Sequence, residues 1–270
     1  MKKYRGILLI ALILVAVLSL SACSEDPDVI RIGATAVPHS EILAQVVPVL
    51  EAQGFEVEIV VFDDFILPNN ALSAGDIDIN FFQHVPFLNN FNQNHGTDLV
   101  PVFGVHFEPL RLYAGRLDSL TNIPNGSTIA IPDDPTNEAR ALLLLESLGL
   151  ITLQPGLGLG ASANTGIAEN PYNLDIQTHT AQILPHVLPD VDFAIINGNI
   201  ALEGGVFDRA IAGAGEEPDS PAAQQFTNFV VVRNGDENSE VVLALIAALN
   251  TEATREFILN QYLGRVIPTF

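Results

Sequence analysis

The run Gly75–His84 alternates polar and apolar residues as a β-strand does, and it ends on side chains of mixed chemistry. Phe82 offers an aromatic face, Gln83 offers an amide, and His84 offers a ring that donates or accepts a hydrogen bond. In open α/β sheets, ligands bind outside the carboxyl ends of the strands. We therefore expect Phe82, Gln83 and His84 to face a ligand cleft.

Arg140 is a second residue with chemistry suited to a ligand. It lies in the second turn of a predicted helix that begins at Pro135. A guanidinium group binds a carboxylate through two parallel hydrogen bonds, and the positive end of a helix dipole favours an anion nearby. Arg140 is therefore a candidate anchor for a carboxylate. The alternative is a surface arginine that pairs with Glu138 or Asp134.

Histidines raise the question of a metal site. His84, His39 and His106 could bind a metal ion together with a carboxylate. They form no local ligand motif, however, and the sequence has no histidine-rich loop. We expect neither a metal nor a cofactor. The sequence also has no GxSxG elbow, P-loop or HExxH motif, so nothing in it indicates an enzyme.

The elements that position these residues form two similar halves. The first half reads strand, helix, strand, helix and strand at residues 29–35, 39–54, 57–62, 68–76 and 77–82. The second half reads strand, helix, strand, turns and strand at residues 127–134, 135–149, 174–179, 181–190 and 191–198. Asp134 is the predicted N-cap of the second-half helix, and Gly149 follows its end. Pro48 should kink the first helix or restart it.

Strands that alternate with helices predict parallel sheets, and two such units predict two α/β lobes. A further strand-like run, Thr227–Arg233, should cross back to the first lobe, followed by helices at 239–248 and 251–262. The two crossings, near Phe107–Leu112 and Gln225–Asn228, would act as a hinge. The predicted division assigns residues 29–107 and 228–270 to lobe 1 and residues 108–227 to lobe 2. Asn197 lies at the carboxyl end of a predicted strand in lobe 2, in the position that matches the end of Gly75–His84 in lobe 1.

The N-terminus has the pattern of a lipoprotein signal peptide over residues 1–22. A basic start is followed by an apolar run, Gly6–Leu20, and by small residues before Cys23, the only cysteine of the chain. We expect Cys23 to carry lipid and residues 23–28 to form the tether. The alternative is a short membrane anchor with an incidental cysteine. The predicted location is extracytoplasmic, with the chain anchored to the cell membrane.

The charge excludes one class of partner. Residues 1–22 hold three of the 11 basic residues and none of the 32 acidic ones, so the mature chain has a net charge of −24. A surface this negative argues against nucleic acid and against acidic lipid surfaces.

Six segments together resemble the methionine-binding lipoproteins of ABC importers, the MetQ/NlpA type. They lie in order at residues 33–43, 63–88, 106–120, 129–151, 188–202 and 226–233. The resemblance covers essentially the whole mature chain. It implies a two-lobed type II periplasmic-binding-protein fold that closes on a small amino acid. It also implies delivery of methionine, L- and possibly D-, to an ABC permease with its cytoplasmic ATPase, by a monomer.

The resemblance also implies a set of site residues. Arg140 would hold the ligand carboxylate, with Asn197 and Asn228 as donors and acceptors for the headgroup and His84 beside them. Three phenylalanines would wall a slot for a thioether: Phe65, Phe82 and Phe87. Of the adjacent Phe81 and Phe82, which point to opposite faces of a strand, Phe82 should reach the cleft.

The chain departs from the family pattern at four positions. Phe65 and Phe87 stand where many relatives carry tyrosine, Ile200 replaces the tyrosine of "NGNYA", and His186 takes the place of an arginine. Glu108, near the first crossing, is assigned a structural role at the hinge.

Several alternatives remain open on sequence grounds. The ligand could be another small apolar amino acid, a short methionine-containing dipeptide or, less favoured, a metal ion. Some transferases share the fold, but the deaminase among them needs a cysteine for its cofactor, and here the only cysteine is Cys23. The chain has no repeats, which disfavours a structural or adhesive main role. The export signal and the lack of a helix-turn-helix exclude a transcriptional sensor.

Overall fold

The computed structural model describes residues 29–270. The predicted signal peptide, Cys23 and the tether lie outside the described residues. Within residues 29–270, no helix is both long and apolar enough to cross a membrane.

The strands of the described chain vary from two to eight residues in length. They are β1 (Val29–Thr35), β2 (Glu56–Phe62), β3 (Ile79–His84), β4 (Val100–Phe107), β5 (Arg111–Ala114), β6 (Thr128–Pro132), β7 (Thr152–Leu153), β8 (Ile167–Glu169), β9 (Asp175–His179), β10 (Phe193–Ile196), β11 (Ala210–Gly215), β12 (Thr227–Val232) and β13 (Ile267–Pro268).

The helices are distributed between these strands. They are α1 (Glu41–Glu51), α2 (Leu67–Ala74), α3 (Val85–His95), α4 (Pro135–Ser147), α5 (Leu184–Val187), α6 (Gly198–Glu203), α7 (Pro221–Gln225), α8 (Glu240–Leu249) and α9 (Glu252–Tyr262). A π-helical turn occupies Ala36–Ser40, and tighter 3-10 turns occupy Gly158–Gly160, Ala181–Ile183, Leu188–Asp190 and Phe207–Arg209.

Two large sheets organise the chain. The first has the order β13-β4-β12-β3-β1-β2 and the second has the order β11-β5-β10-β6-β9, while β7 and β8 form a small separate pair. β1 runs parallel to β2 and β3, and β6 runs parallel to β9 and β10. The prediction of parallel pairing is correct for these strands. Two strands outside these predicted units pair antiparallel: β12 lies between β3 and β4, and β5 pairs with β10.

The chain passes between the sheets twice. It leaves the first sheet after β4, enters the second at β5, and returns between α7 and β12. The run that begins at Thr227 lies in the first sheet, as predicted. The exact lobe boundaries, 29–107 with 228–270 and 108–227, stay a prediction.

Local signals in the sequence set the ends of α4. The Asp134 side chain accepts a hydrogen bond of 2.9 Å from the Asn137 N–H, and Pro135 takes the first helical position. Gly149 follows the helix in a left-handed backbone conformation, with a φ of 70°, which glycine adopts without steric cost. α1 runs through Pro48 as a single element from Glu41 to Glu51, so the helix does not restart there.

Each large sheet has its own apolar core. Ile32, Phe81 and Val230 of the first sheet pack with Leu245 and Ile258 of the C-terminal helices. In the second unit, buried residues of β5, β6 and β10 pack against the apolar face of α4. The two sheets therefore pack largely against different helices.

Candidate functional site

A small cavity lies where the carboxyl ends of β3, β6 and β10 meet. All seven residues predicted for the site line it: Phe65, Phe82, His84, Phe87, Arg140, Asn197 and Asn228. Gln83, Glu108, Asn137, Gly198 and Asn199 complete the lining. That the seven residues contact a ligand stays a prediction.

One end of the cavity is aromatic. The rings of Phe65, Phe82 and Phe87 lie with their centroids 6.1–6.2 Å apart, two pairs edge to face and one pair stacked. Phe81 instead lies in the first core, edge to face with His39 at 4.7 Å. The alternation of the strand therefore places Phe82 in the cavity, as expected. No hydroxyl group belongs to these three rings, so this end offers only apolar contact.

Arg140 is buried and already paired. Its Nε and Nη2 donate to the two carboxylate oxygens of Glu216 at 2.7 and 2.5 Å, and Nη2 also donates to the Glu108 carbonyl at 2.9 Å. The guanidinium carbon lies 4.2 Å from the centre of the Phe226 ring. The alternative pairing with Glu138 does not occur, since the Glu138 carboxylate accepts from the Ala163 N–H.

The clamp on Arg140 leaves part of the guanidinium for a ligand. Among residues 29–270, Nη1 donates to no acceptor within hydrogen-bonding distance. Glu216 also accepts the Leu110 N–H at 2.7 Å, which ties the clamp to the first crossing. Glu216 was missed at the sequence level because it is 76 residues from Arg140 and no local motif marks it.

His84 joins the two lobes through Asn137. The Nδ1 atom of His84 accepts the Phe87 N–H at 3.2 Å, so its Nε2 carries the proton and donates to the Asn137 Oδ1 at 3.2 Å. Asn197 donates to the same oxygen through its Nδ2 at 3.0 Å. The Oδ1 of Asn197 is buried and has no partner among the described residues. It is therefore an acceptor available to a ligand.

Asn228 lies at the centre of a polar row in the first sheet. Strand pairing places it opposite His84 on β3 and His106 on β4. Its Oδ1 is 3.2 Å from the Nε2 of His39. Behind it, the Nε2 of His106 lies 2.7 Å from a carboxylate oxygen of Glu108.

Burial controls the ionisation of these groups. It lowers the pKa of His84 to about 3, with the nearby Arg140 charge adding to the effect. It lowers the pKa of His39 to about 4 and that of His106 to about 3, whereas it raises the pKa of Glu108 above its usual range. Near pH 7 the three histidines are therefore neutral, and each ring has one donor and one acceptor nitrogen.

His39, His106 and Glu108 are also the residues that could hold a metal, since their potential ligand atoms all lie within 4.8 Å of one another. His84, the third histidine considered above, is not part of this group. The His106–Glu108 distance of 2.7 Å is that of a hydrogen bond. Two ligands of one tetrahedral zinc ion lie about 3.3 Å apart, given zinc bonds of roughly 2.0–2.1 Å. The arrangement fits a hydrogen-bond network better than a metal centre.

The chain is similar to known lipoproteins over most of its length. It is 36% identical to the D-methionine-binding lipoprotein MetQ of Salmonella typhimurium over 250 residues, which cover 90% of each chain. The crystal structure of lipoprotein Tp32 from Treponema pallidum matches with a TM-score of 0.83 at 38% identity, covering 89% of this chain and 99% of that one.

A nutrient-binding protein from Burkholderia cenocepacia, solved bound to methionine, matches with a TM-score of 0.81 at 36% identity, covering 89% of this chain and all of that one. These relatives confirm the two-lobed periplasmic-binding-protein fold expected from the sequence. The model of the NlpA lipoprotein family matches residues 30–270. Together with the fold and the cavity between its sheets, this match shows that the chain belongs to the NlpA lipoprotein family.

Proposed function

We propose that the protein is the extracytoplasmic substrate-binding component of an ABC importer and that it binds methionine in the cavity between the sheets, without catalysing a reaction. One observation carries this proposal. The cavity has three phenylalanine rings at one end and, at the other, a buried guanidinium and an amide oxygen, Asn197 Oδ1; among the described residues, the Nη1 of Arg140 and this oxygen have no partner. That combination suits a zwitterion with an apolar side chain. Methionine, named for the Salmonella typhimurium relative and bound in the Burkholderia cenocepacia structure, is the ligand that these relatives support.

The polar end suits both charges of the headgroup. The ligand carboxylate would lie against the Nη1 side of Arg140, where charge-assisted hydrogen bonds are short and strong. The α-ammonium would donate to the Oδ1 of Asn197. The thioether would then extend between Phe65, Phe82 and Phe87, where each sulfur–aromatic contact contributes about 0.3–1.5 kcal/mol.

Titration calorimetry on ligand-free protein tests the proposal. The protein should be unfolded, dialysed and refolded to remove any bound ligand, then titrated with L-methionine, D-methionine, alanine and glycyl-methionine. We expect methionine to bind more tightly than alanine, because only its side chain reaches the aromatic end. If glycyl-methionine binds most tightly, the ligand is a dipeptide and not a free amino acid. Binding of zinc with no response to any amino acid would refute the proposal.

Membrane attachment is part of the same proposal. Cys23 would carry acyl chains that hold the protein close to its permease and the permease's cytoplasmic ATPase. We expect Cys23→Ser to move the protein from the membrane fraction to the soluble fraction, because the acylated side chain is lost. Fractionation followed by immunoblotting measures this. The thermal unfolding midpoint of the purified domain should not change, and an unchanged membrane fraction would contradict the assignment.

Ligand binding should close the two lobes about the crossings near Phe107–Leu112 and Gln225–Asn228. Hinge closure is the usual response of two-lobed binding proteins. We expect the radius of gyration from small-angle X-ray scattering to be smaller with saturating methionine than without ligand. The same radius in both states, with binding confirmed by calorimetry, would rule out closure. The same data give the molecular mass, which should be that of a monomer.

A further inference from the structure

Two hydrogen-bond chains end on the two asparagines of the cavity, and a carboxylate acts on each: Asp134 begins the first chain, and Glu108 lies against His39 in the second. The first chain runs from Asp134 through Asn137 to Asn197. The Nδ2 of Asn137 donates to Asp134 at 2.9 Å, so the Oδ1 of Asn137 must point the other way. That oxygen receives the Nδ2 of Asn197 at 3.0 Å. The Oδ1 of Asn197 is consequently turned away from Asn137, buried and unpartnered among the described residues.

The second chain runs from Thr35 through His39 to Asn228, and the carboxylate of Glu108 lies against His39. The Nε2 of His39 lies 3.4 Å from a carboxylate oxygen of Glu108, which favours a proton on that nitrogen. The Nδ1 of His39 then accepts the Thr35 hydroxyl at 2.8 Å. The Nε2 proton is shared with the Oδ1 of Asn228 at 3.2 Å. The Nδ2 of Asn228 is therefore the atom left for the cavity, and within residues 29–270 it donates to no acceptor.

The two chains orient the side-chain amides of Asn197 and Asn228 in opposite directions. An amide side chain has nearly the same shape after a half-turn, so its surroundings decide which end is the donor. Asp134 requires a donor from Asn137 and so makes Asn197 an acceptor toward the cavity. The negative charge of Glu108 favours the proton on the Nε2 of His39, which donates to the Oδ1 of Asn228 and so leaves Asn228 a donor toward the cavity.

We infer that His39 and Asn137 are positioning residues that set the direction of the ligand headgroup. Through Asn137, Asn197 accepts from the α-ammonium. Through His39, Asn228 donates to the α-carboxylate beside Arg140. This inference rests on the proposed function, because it takes the ligand to be an α-amino acid. It assigns a role to Glu108 as well, since the carboxylate of Glu108 selects the tautomer of His39.

A ligand series tests the two chains separately. Methionine is compared with methionine amide, which lacks the carboxylate charge, and with 2-hydroxy-4-methylthiobutanoate, which lacks the ammonium. In His39→Leu, the preference for methionine over the amide should fall by up to about tenfold, because Asn228 is no longer held with its Nδ2 toward the carboxylate and this hydrogen bond to a charged group weakens. The preference over the hydroxy acid should stay at the wild-type value.

The variant Asn137→Leu should give the reverse pattern, with a smaller preference over the hydroxy acid and an unchanged preference over the amide. His39→Gln is the matched control, because its amide can supply an N–H near the position of the histidine Nε2. It should restore the preference that His39→Leu loses. If both leucine variants weaken all three ligands by the same factor, the two residues only support the fold and the inference is overturned.

Nitrogen-15 NMR of the histidine rings in ligand-free wild-type protein gives a readout that needs no variant to fold. We expect the His39 proton on Nε2. A proton on Nδ1, or stoichiometric zinc bound at His39 and His106, would overturn the assignment, since Nε2 would then not be a donor. If the wild-type protein binds none of the three ligands, the proposed function fails, while the tautomer still reports on His39 itself.

Discussion

Arg140→Ala should nearly abolish methionine binding. Removing one partner from a desolvated charge pair costs about 2–5 kcal/mol, which corresponds to roughly thirty-fold to several thousand-fold in affinity. Arg140→Lys should recover only part of the loss, because an ammonium cannot hold Glu216 and a ligand carboxylate with the same planar fork. Titration calorimetry with methionine measures both variants.

The clamp on Arg140 provides the control for this experiment. Arg140→Ala leaves the carboxylate of Glu216 buried without its cation, and removal of one partner from a buried pair costs stability of about 3–5 kcal/mol. The double variant Arg140→Ala/Glu216→Ala removes both charges and should recover much of the unfolding midpoint. Methionine binding should stay lost in the double variant. Wild-type affinity in either variant would remove Arg140 as the carboxylate anchor.

Phe82→Ala should weaken methionine far more than alanine. The substitution removes a wall of the aromatic end, and full burial of such a side chain contributes about 1.5–3 kcal/mol. The expected loss for methionine is therefore roughly ten- to hundred-fold. Alanine, whose methyl group does not reach the ring, should lose little.

Phe91→Ala is the matched control, because Phe91 is 3% exposed, belongs to a core cluster with Leu72 and Leu88, and does not line the cavity. It should lower the unfolding midpoint and leave the ratio of methionine to alanine affinity unchanged. An equal loss for both ligands in Phe82→Ala would mean that Phe82 only supports the fold.

The parts of the structure that local sequence signals determine were predictable. Asp134, Pro135 and Gly149 mark the ends of α4 in the sequence, and the alternation of β3 places Phe82 in the cavity and Phe81 in the core. The helix α3 was not predicted, because its many asparagines give little apolar periodicity and its start depends on the His84 ring accepting the Phe87 N–H.

The pairings between distant segments were not predictable in the same way. Glu216 reaches Arg140 only because β11 pairs with β5 and leads the chain back to the first crossing. The antiparallel placement of β12 between β3 and β4 likewise follows from tertiary contacts and not from the composition of the strand. The sequence singled out Asn228 and His39 separately, as candidates for two different sites. The hydrogen bond between them joins positions 189 apart, so no local pattern predicts it.

The internal clamp also bears on which solutes the empty cleft attracts. Glu216 pairs with Arg140, and residues 23–270 hold eight arginines against 32 acidic residues, so little positive charge is left in the cleft to attract an anion. Inorganic anions such as chloride, sulfate and phosphate therefore gain little by entering, since they bring no positive group to meet the acidic surroundings. A zwitterion brings its own positive group. Competition from salts in the medium should thus be weak, and the affinity for the ligand should vary little with ionic strength.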